Sequence, residues 1–228
     1  VEKLLTYRGE IKAAVGVGES LIFVTAHAEG EPTGLYSLDA DTLSLDSVAL
    51  PRGGVALAVD GETLLVAGTD QRLYTTTTEG GAPKPLGPPL EAPATALAPL
   101  AEGRLAVLVG SKVLVLARKD GKVLQTLELP EPGSALAVDP SGKWLVVGTA
   151  KGTVSVFDAE GKPEFLLSAS ERLHEGLVSA LLFETDELRF FSAGGDQKLL
   201  STHARGRLEP EDKGRGNNHT DLVTSLIW

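Results

Sequence analysis

Within the thirty residues Leu173–Thr202 the chain gathers His174, Ser192 and Asp196, the residue types of nucleophilic hydrolysis. In such a site the histidine takes the serine proton and the carboxylate orients the histidine. The same chemistry also needs donors for an oxyanion and a serine held on a sharp strand-to-helix turn, and neither pattern is visible around Ser192. The four histidines, His27, His174, His203 and His219, fall at no metal-binding spacing and each belongs to a different loop or strand end. Gly16–Gly18 opens no helix, so it lacks the context of a phosphate-cradling loop. The paired carboxylates, Asp39 with Asp41 and Glu209 and Glu211 with Asp212, stand in turns rather than in a cleft that would split their acidities. No catalytic residue, cofactor or metal is expected.

The elements that position these residues are short β-runs separated by turn signals about every ten residues, with no sustained helical period. In the stretch that holds His174, one strand runs over Val178–Phe183, a second over Leu188–Ala193 and a third over Lys198–Thr202. Thr185–Glu187 and Gly194-Gly195-Asp196-Gln197 are the intervening turns, where glycine and aspartate tolerate positive φ. The last core residue of each first strand recurs at Val17, Val59, Leu100, Val138, Phe183 and Trp228, at spacings of 42, 41, 38, 45 and 45 residues. Each repeat holds four strands, which is the blade pattern of a propeller and not the pattern of a sandwich.

The first unit reads Ile11–Val17, Leu21–Ala26, Gly34–Asp39 and Leu43–Leu50, with its longest insertion at His27–Thr33. The second ends in GGAPKPLGPPLEAP, whose prolines remove ladder donors, so a fourth strand there has to be an exposed edge. The third holds Ala94–Leu100, Arg104–Val109, Val113–Ala117 and Lys122–Leu129. In the fourth, Asp139–Gly142 (DPSG) has type I turn chemistry. Glu2–Tyr7 is a lone strand before the first unit. His219–Val223 repeats His174–Val178 at a spacing of 45, so Trp228 stops a sixth unit at its first strand. The expected fold is all-β: a propeller of four-stranded antiparallel blades, with five recognisable units plus partial strands at both ends. The reading is of one domain, 1–228, that is incomplete. Seven blades would need about 290 residues, six or seven blades are expected in the complete protein, and an open fragment would expose sheet edges that favour association.

Composition bounds the rest. An apolar share of 42% in 228 residues suffices for a core. A formal charge of −10 disfavours a nucleic-acid surface, because counterion release needs clustered Lys and Arg. The basic-leaning segment Lys198–Arg215 is diluted by Glu209, Glu211 and Asp212 and reads as a solvated loop. No run of apolar residues is long enough for a membrane span and the first ten residues lack a signal-peptide layout. The absence of cysteine fits a reducing compartment, and the expected setting is the cytoplasm.

The repeat resembles the WD-repeat (Trp-Asp repeat) propellers in divergent form. His174, Val178, Phe183, Ser192, Gly194 and Asp196 match the family pattern, and Phe157-Asp158 stands where the closing Trp-Asp pair belongs. Thr202-His203 and Leu38-Asp39 replace that pair elsewhere, the second and third units lack both His and Trp, and the strong matches begin at about Ser134. The resemblance implies that His174, Ser192 and Asp196 form a structural hydrogen-bond network, in which Asp bonds the His ring and the ring reaches Ser. It also implies a non-catalytic protein-interaction scaffold, binding a protein or peptide or neighbouring domains of the same multidomain protein. The alternative is a propeller enzyme of lactonase or hydrolase type. That would require a ring of polar ligands at the channel-facing ends of the first strands, where mostly Ala, Leu, Val and Gly stand.

Overall fold

The computed structural model describes residues 10–25, 34–39, 41–42, 44–50, 53–184 and 188–212. Five four-stranded antiparallel sheets follow one another along the chain, each a simple meander, and no α-helix occurs among the described residues. The sheets are β1 (Ile11–Val17), β2 (Ser20–Thr25), β3 (Gly34–Asp39) and β4 (Leu45–Ala49); then β5 (Gly54–Asp60), β6 (Thr63–Gly68), β7 (Leu73–Thr77) and β8 (Lys84–Leu86). The third comprises β9 (Ala94–Leu100), β10 (Arg104–Val109), β11 (Lys112–Ala117) and β12 (Val123–Glu128); the fourth β13 (Gly133–Val138), β14 (Trp144–Thr149), β15 (Thr153–Asp158) and β16 (Leu166–Arg172). The fifth is β17 (Val178–Phe183), β18 (Arg189–Gly194), β19 (Leu199–His203) and β20 (Glu211–Asp212).

This is the blade architecture expected from the repeat. The second strands are mostly apolar because both of their faces are covered. RLAVLV and WLVVGT are buried at every residue, whereas the outer strands VLQTLE and LLSASER are mostly exposed. Strand ends differ from the sequence reading by a residue or two, as in β18, which begins at Arg189 and runs through Gly194. The proline-rich segment yields only the three-residue edge strand β8, with Pro85 opposite Tyr74 and Leu86 turned into the core. The expected strands at Glu2–Tyr7 and after His219, the insertion His27–Thr33 and the turn Thr185–Glu187 lie outside the described residues.

The chain divides into two compact units, one of residues 1–97 with 118–122 and the other of 98–117 with 123–228. In the first, Ile22, Val24, Leu35, Leu50, Leu64, Val66 and Tyr74 form one buried cluster between the first and second sheets. In the second, Trp144, Val146, Val154, Val156, Val178, Phe183 and Phe190 do the same for the fourth and fifth. Each such side chain contributes roughly 1.5–3 kcal/mol on burial, so these seams between sheets, rather than the hydrogen-bond ladders alone, hold neighbouring blades together.

The start of the first strand is built alike in four sheets. The register shifts between Ile11 and Ala13, Gly54 and Ala56, Gly133 and Ala135, and Val178 and Ala180, a bulge that bends the strand where the chain enters the blade. At Gly54, Gly133 and Val178 the position opening this bulge meets the second strand of a neighbouring sheet, and volume there is shared out between partners. A Cβ on Gly54 would lie 2.8 Å from Val24 Cβ, and one on Gly133 would press into the Leu108 side chain. At the seam of sheets four and five the assignment is reversed: Val178 is the large residue and Gly148 the small one.

Candidate functional site

The structure brings His174, Ser192 and Asp196 together. His174 lies in the loop between β16 and β17, Ser192 in the middle of β18, and Asp196 in the β18–β19 turn. Asp196 Oδ1 is 2.9 Å from His174 Nδ1, and Ser192 Oγ is 2.9 Å from His174 Nε2. With the Nδ1–H donating to the carboxylate, Nε2 is left to accept the Ser192 hydroxyl. This connectivity, carboxylate to Nδ1 and Nε2 to serine, is the same as in a hydrolytic triad.

Access separates the two cases. His174 and Ser192 are 1% and 0% exposed, so no substrate reaches the hydroxyl. Ser192 sits in mid-strand, paired with Leu181 on one side and Leu200 on the other, and not on a sharp turn at a strand end. The loop that carries His174 is held in place by Gly152, whose carbonyl accepts from the N–H of Leu173 at 3.0 Å and of His174 at 3.2 Å. Gly152 has φ +91° and its Cα faces the His174 carbonyl closely enough that no side chain fits there.

Asp196 also organises its own turn, accepting from the N–H of Glu175 at 3.1 Å and of Lys198 at 3.3 Å. Partial burial opposes its ionisation, but the bond from His174 and those two N–H groups outweigh it and hold its carboxyl below the usual carboxylate range. Gly194 makes room for the pair: a Cβ there would sit 2.6 Å from His174 Cγ and 2.7 Å from Asp196 Oδ1. The expected positive φ at the glycines of this turn falls instead on Gln197, at +63°. Gly194 is required by crowding from the histidine ring, not by backbone handedness.

A second arrangement of this kind escaped the sequence reading. Gly68-Thr69-Asp70-Gln71 ends β6 as Gly194-Gly195-Asp196-Gln197 ends β18, and Gln71 likewise has φ +64°. Here Asp70 receives the Tyr74 hydroxyl at 2.6 Å and the Arg72 N–H at 3.3 Å, and Gly68 again leaves the space. Burial, then the hydrogen bond and the negative charge of Asp70, push the Tyr74 phenol up to about 12. The recurrence of Asp-Gln two residues beyond a strand-ending glycine was the available signal. A further carboxylate, the buried Asp139 of the DPSG turn, accepts from the N–H groups of Ser141, Lys143 and Trp144 at 2.9, 2.9 and 2.7 Å.

The remaining candidates stay apart. Asp39 caps its own turn through the Asp41 and Thr42 N–H groups at 3.0 and 2.7 Å, and bonds from the Thr42 N–H and hydroxyl hold its carboxyl below the usual carboxylate range despite slight opposition from burial. His203 is exposed and lies 2.7 Å from Arg189 Nη2, while His27 and His219 fall outside the described residues. Among the described residues no three metal-ligating side chains converge, and no helix is long and apolar enough to cross a membrane.

No family model matches the chain. A protein of Arabidopsis thaliana, actin-interacting protein 1-2, is 35% identical over 133 residues. That stretch covers 58% of this chain and 21% of the Arabidopsis protein, so the match spans about a fifth of the relative's length. Among solved structures, a chain in the crystal structure of a mitotic checkpoint complex superposes with a TM-score of 0.79 over 97% of this chain and 69% of its own length, at 12% identity. At that identity the likeness speaks to the fold alone.

Proposed function

We propose that this chain, a divergent WD-repeat propeller, works as a non-catalytic scaffold that binds a protein or peptide. The observation that carries the reading is the burial of His174 and Ser192. The one constellation with the residue types of a hydrolase is sealed inside a blade, where its hydrogen bonds tie the β16–β17 loop to the β18–β19 turn. A hydrogen-bonded strut needs no access to solvent, whereas a nucleophile does. The matched Arabidopsis protein is named for interacting with actin, which supports a protein partner for this chain as well. The formal charge of −10 favours a basic partner and disfavours nucleic acid.

In this reading the propeller is one domain of a larger, cytoplasmic protein, and its partners include neighbouring domains. The test is quantitative capture of partners from an extract of the source organism, compared between the chain and a Ser192→Ala variant kept below its unfolding temperature. The expected result is a stoichiometric protein partner retained by both. Turnover of lactone or ester substrates by the unmodified chain, lost in Ser192→Ala, would overturn it.

A further inference from the structure

A pocket of about 120 Å³ opens in the first unit where the packing between the first and second sheets stops. Its floor is apolar: Ile22, Leu35 and Leu64, which also belong to the buried cluster of that seam. Its wall is polar and acidic. Asp46 on β4 stands opposite Ser37 on β3, and Glu79 comes from the turn after β7, so two carboxylates on different sheets border one opening. Asp46 and Glu79 are exposed, and neither carboxylate has a hydrogen-bond or ion-pair partner among the described residues. The chain thus places two carboxylates above an apolar floor.

From this juxtaposition we propose that the pocket receives the basic side chain, lysine or arginine, of the protein partner, which rests on the scaffold reading above and names the chemistry that one of its contacts takes. Size selects the ligand class. Pockets for drug-sized molecules run to about 300–1,000 Å³, whereas an apolar cavity of about 150 Å³ holds a benzene-sized group. The space therefore accepts the end of one side chain. Lysine and arginine combine an aliphatic stem, which covers Ile22, Leu35 and Leu64, with a charged head that reaches the carboxylates while remaining partly hydrated. The hydroxyls of Ser37 and Thr78 add acceptors beside the acids. An acidic or purely apolar side chain would leave Asp46 and Glu79 repelled or uncompensated.

The experiment titrates Nα-acetyl-lysine methylamide, its arginine counterpart and its norleucine counterpart into isotope-labelled chain at low salt, following backbone amide resonances. Both cationic probes are expected to shift the amides of Ser47, Thr78 and Gly80, with saturation in about the millimolar range of a single side-chain contact. Norleucine is expected to leave them in place. A doubly substituted chain, Asp46→Asn with Glu79→Gln, should bind the cations about tenfold more weakly or less well still, with its thermal midpoint unchanged because both residues are exposed. Equal shifts from norleucine, unchanged affinity in the double variant, or shifts confined to other amides would each overturn the proposal. A chain that captures a partner protein but ignores the cationic probes loses the pocket and keeps the scaffold; one that binds the probes here but captures no partner loses the scaffold reading itself.

Discussion

At the scale of residues, the molecule treats polar atoms in its interior in two ways. Ser192 is fully buried and bonded to His174, so removing its hydroxyl leaves Nε2 of a buried imidazole without a partner. Ser192→Ala should lower stability by about 1–3 kcal/mol. Thr202 is equally buried, but its hydroxyl has no partner among the described residues. Thr202→Val, which keeps the shape and removes the unpaired oxygen, should be neutral or stabilising by about 1 kcal/mol, and chemical denaturation of the two variants side by side checks the contrast. Asp196 adds a pH dependence. Its carboxyl titrates below its unfolded value of about 3.9, so its contribution is present above that pH and is lost as pH falls through the folded value. Asp196→Asn should therefore be less stable than the unmodified chain at neutral pH, with the gap closing below about pH 4; thermal midpoints across that range would show it. A constant gap would mean that the ionised form of Asp196 is not what the His174 loop relies on.

At the scale of elements, the blade was legible in the sequence because its signal is redundant. The anchors Val17 to Phe183 recur, and the second strands, such as LIFV in β2 and WLVV in β14, are apolar at successive positions, as covered strands must be. The grouping of His174, Ser192 and Asp196 was legible too, through the resemblance to the WD-repeat pattern at those positions. Two features were not legible. The Asp70–Tyr74 bond replaces the loop histidine with a tyrosine on the following strand, β7, so it preserves the turn but not the motif. The exchange of volume between sheets is invisible in any one repeat, because Gly148 and Val178 compensate across a seam. That compensation is testable. A methyl at Gly148 meets Val178 and should cost about 1–3 kcal/mol, and Gly148→Ala combined with Val178→Ala should recover much of that loss. Additive costs in the double variant would show that the seam does not share volume in this way.

At the scale of the whole molecule, the four-stranded sheets hold His174, Ser192 and Asp196 as an internal brace, and the chain carries an excess of acidic residues. With 31 acidic against 21 basic residues, encounter with a basic partner should be fastest at low ionic strength and slow as salt screens it. The central claim is that His174, Ser192 and Asp196 support the blade and do not catalyse, although their connectivity is that of a hydrolase. Reaction of the folded chain with a fluorophosphonate, which labels activated serines, followed by peptide mass spectrometry, addresses that claim most directly. The account predicts an unlabelled Ser192 in the folded chain; stoichiometric modification of Ser192 under native conditions, abolished by His174→Ala, would contradict it.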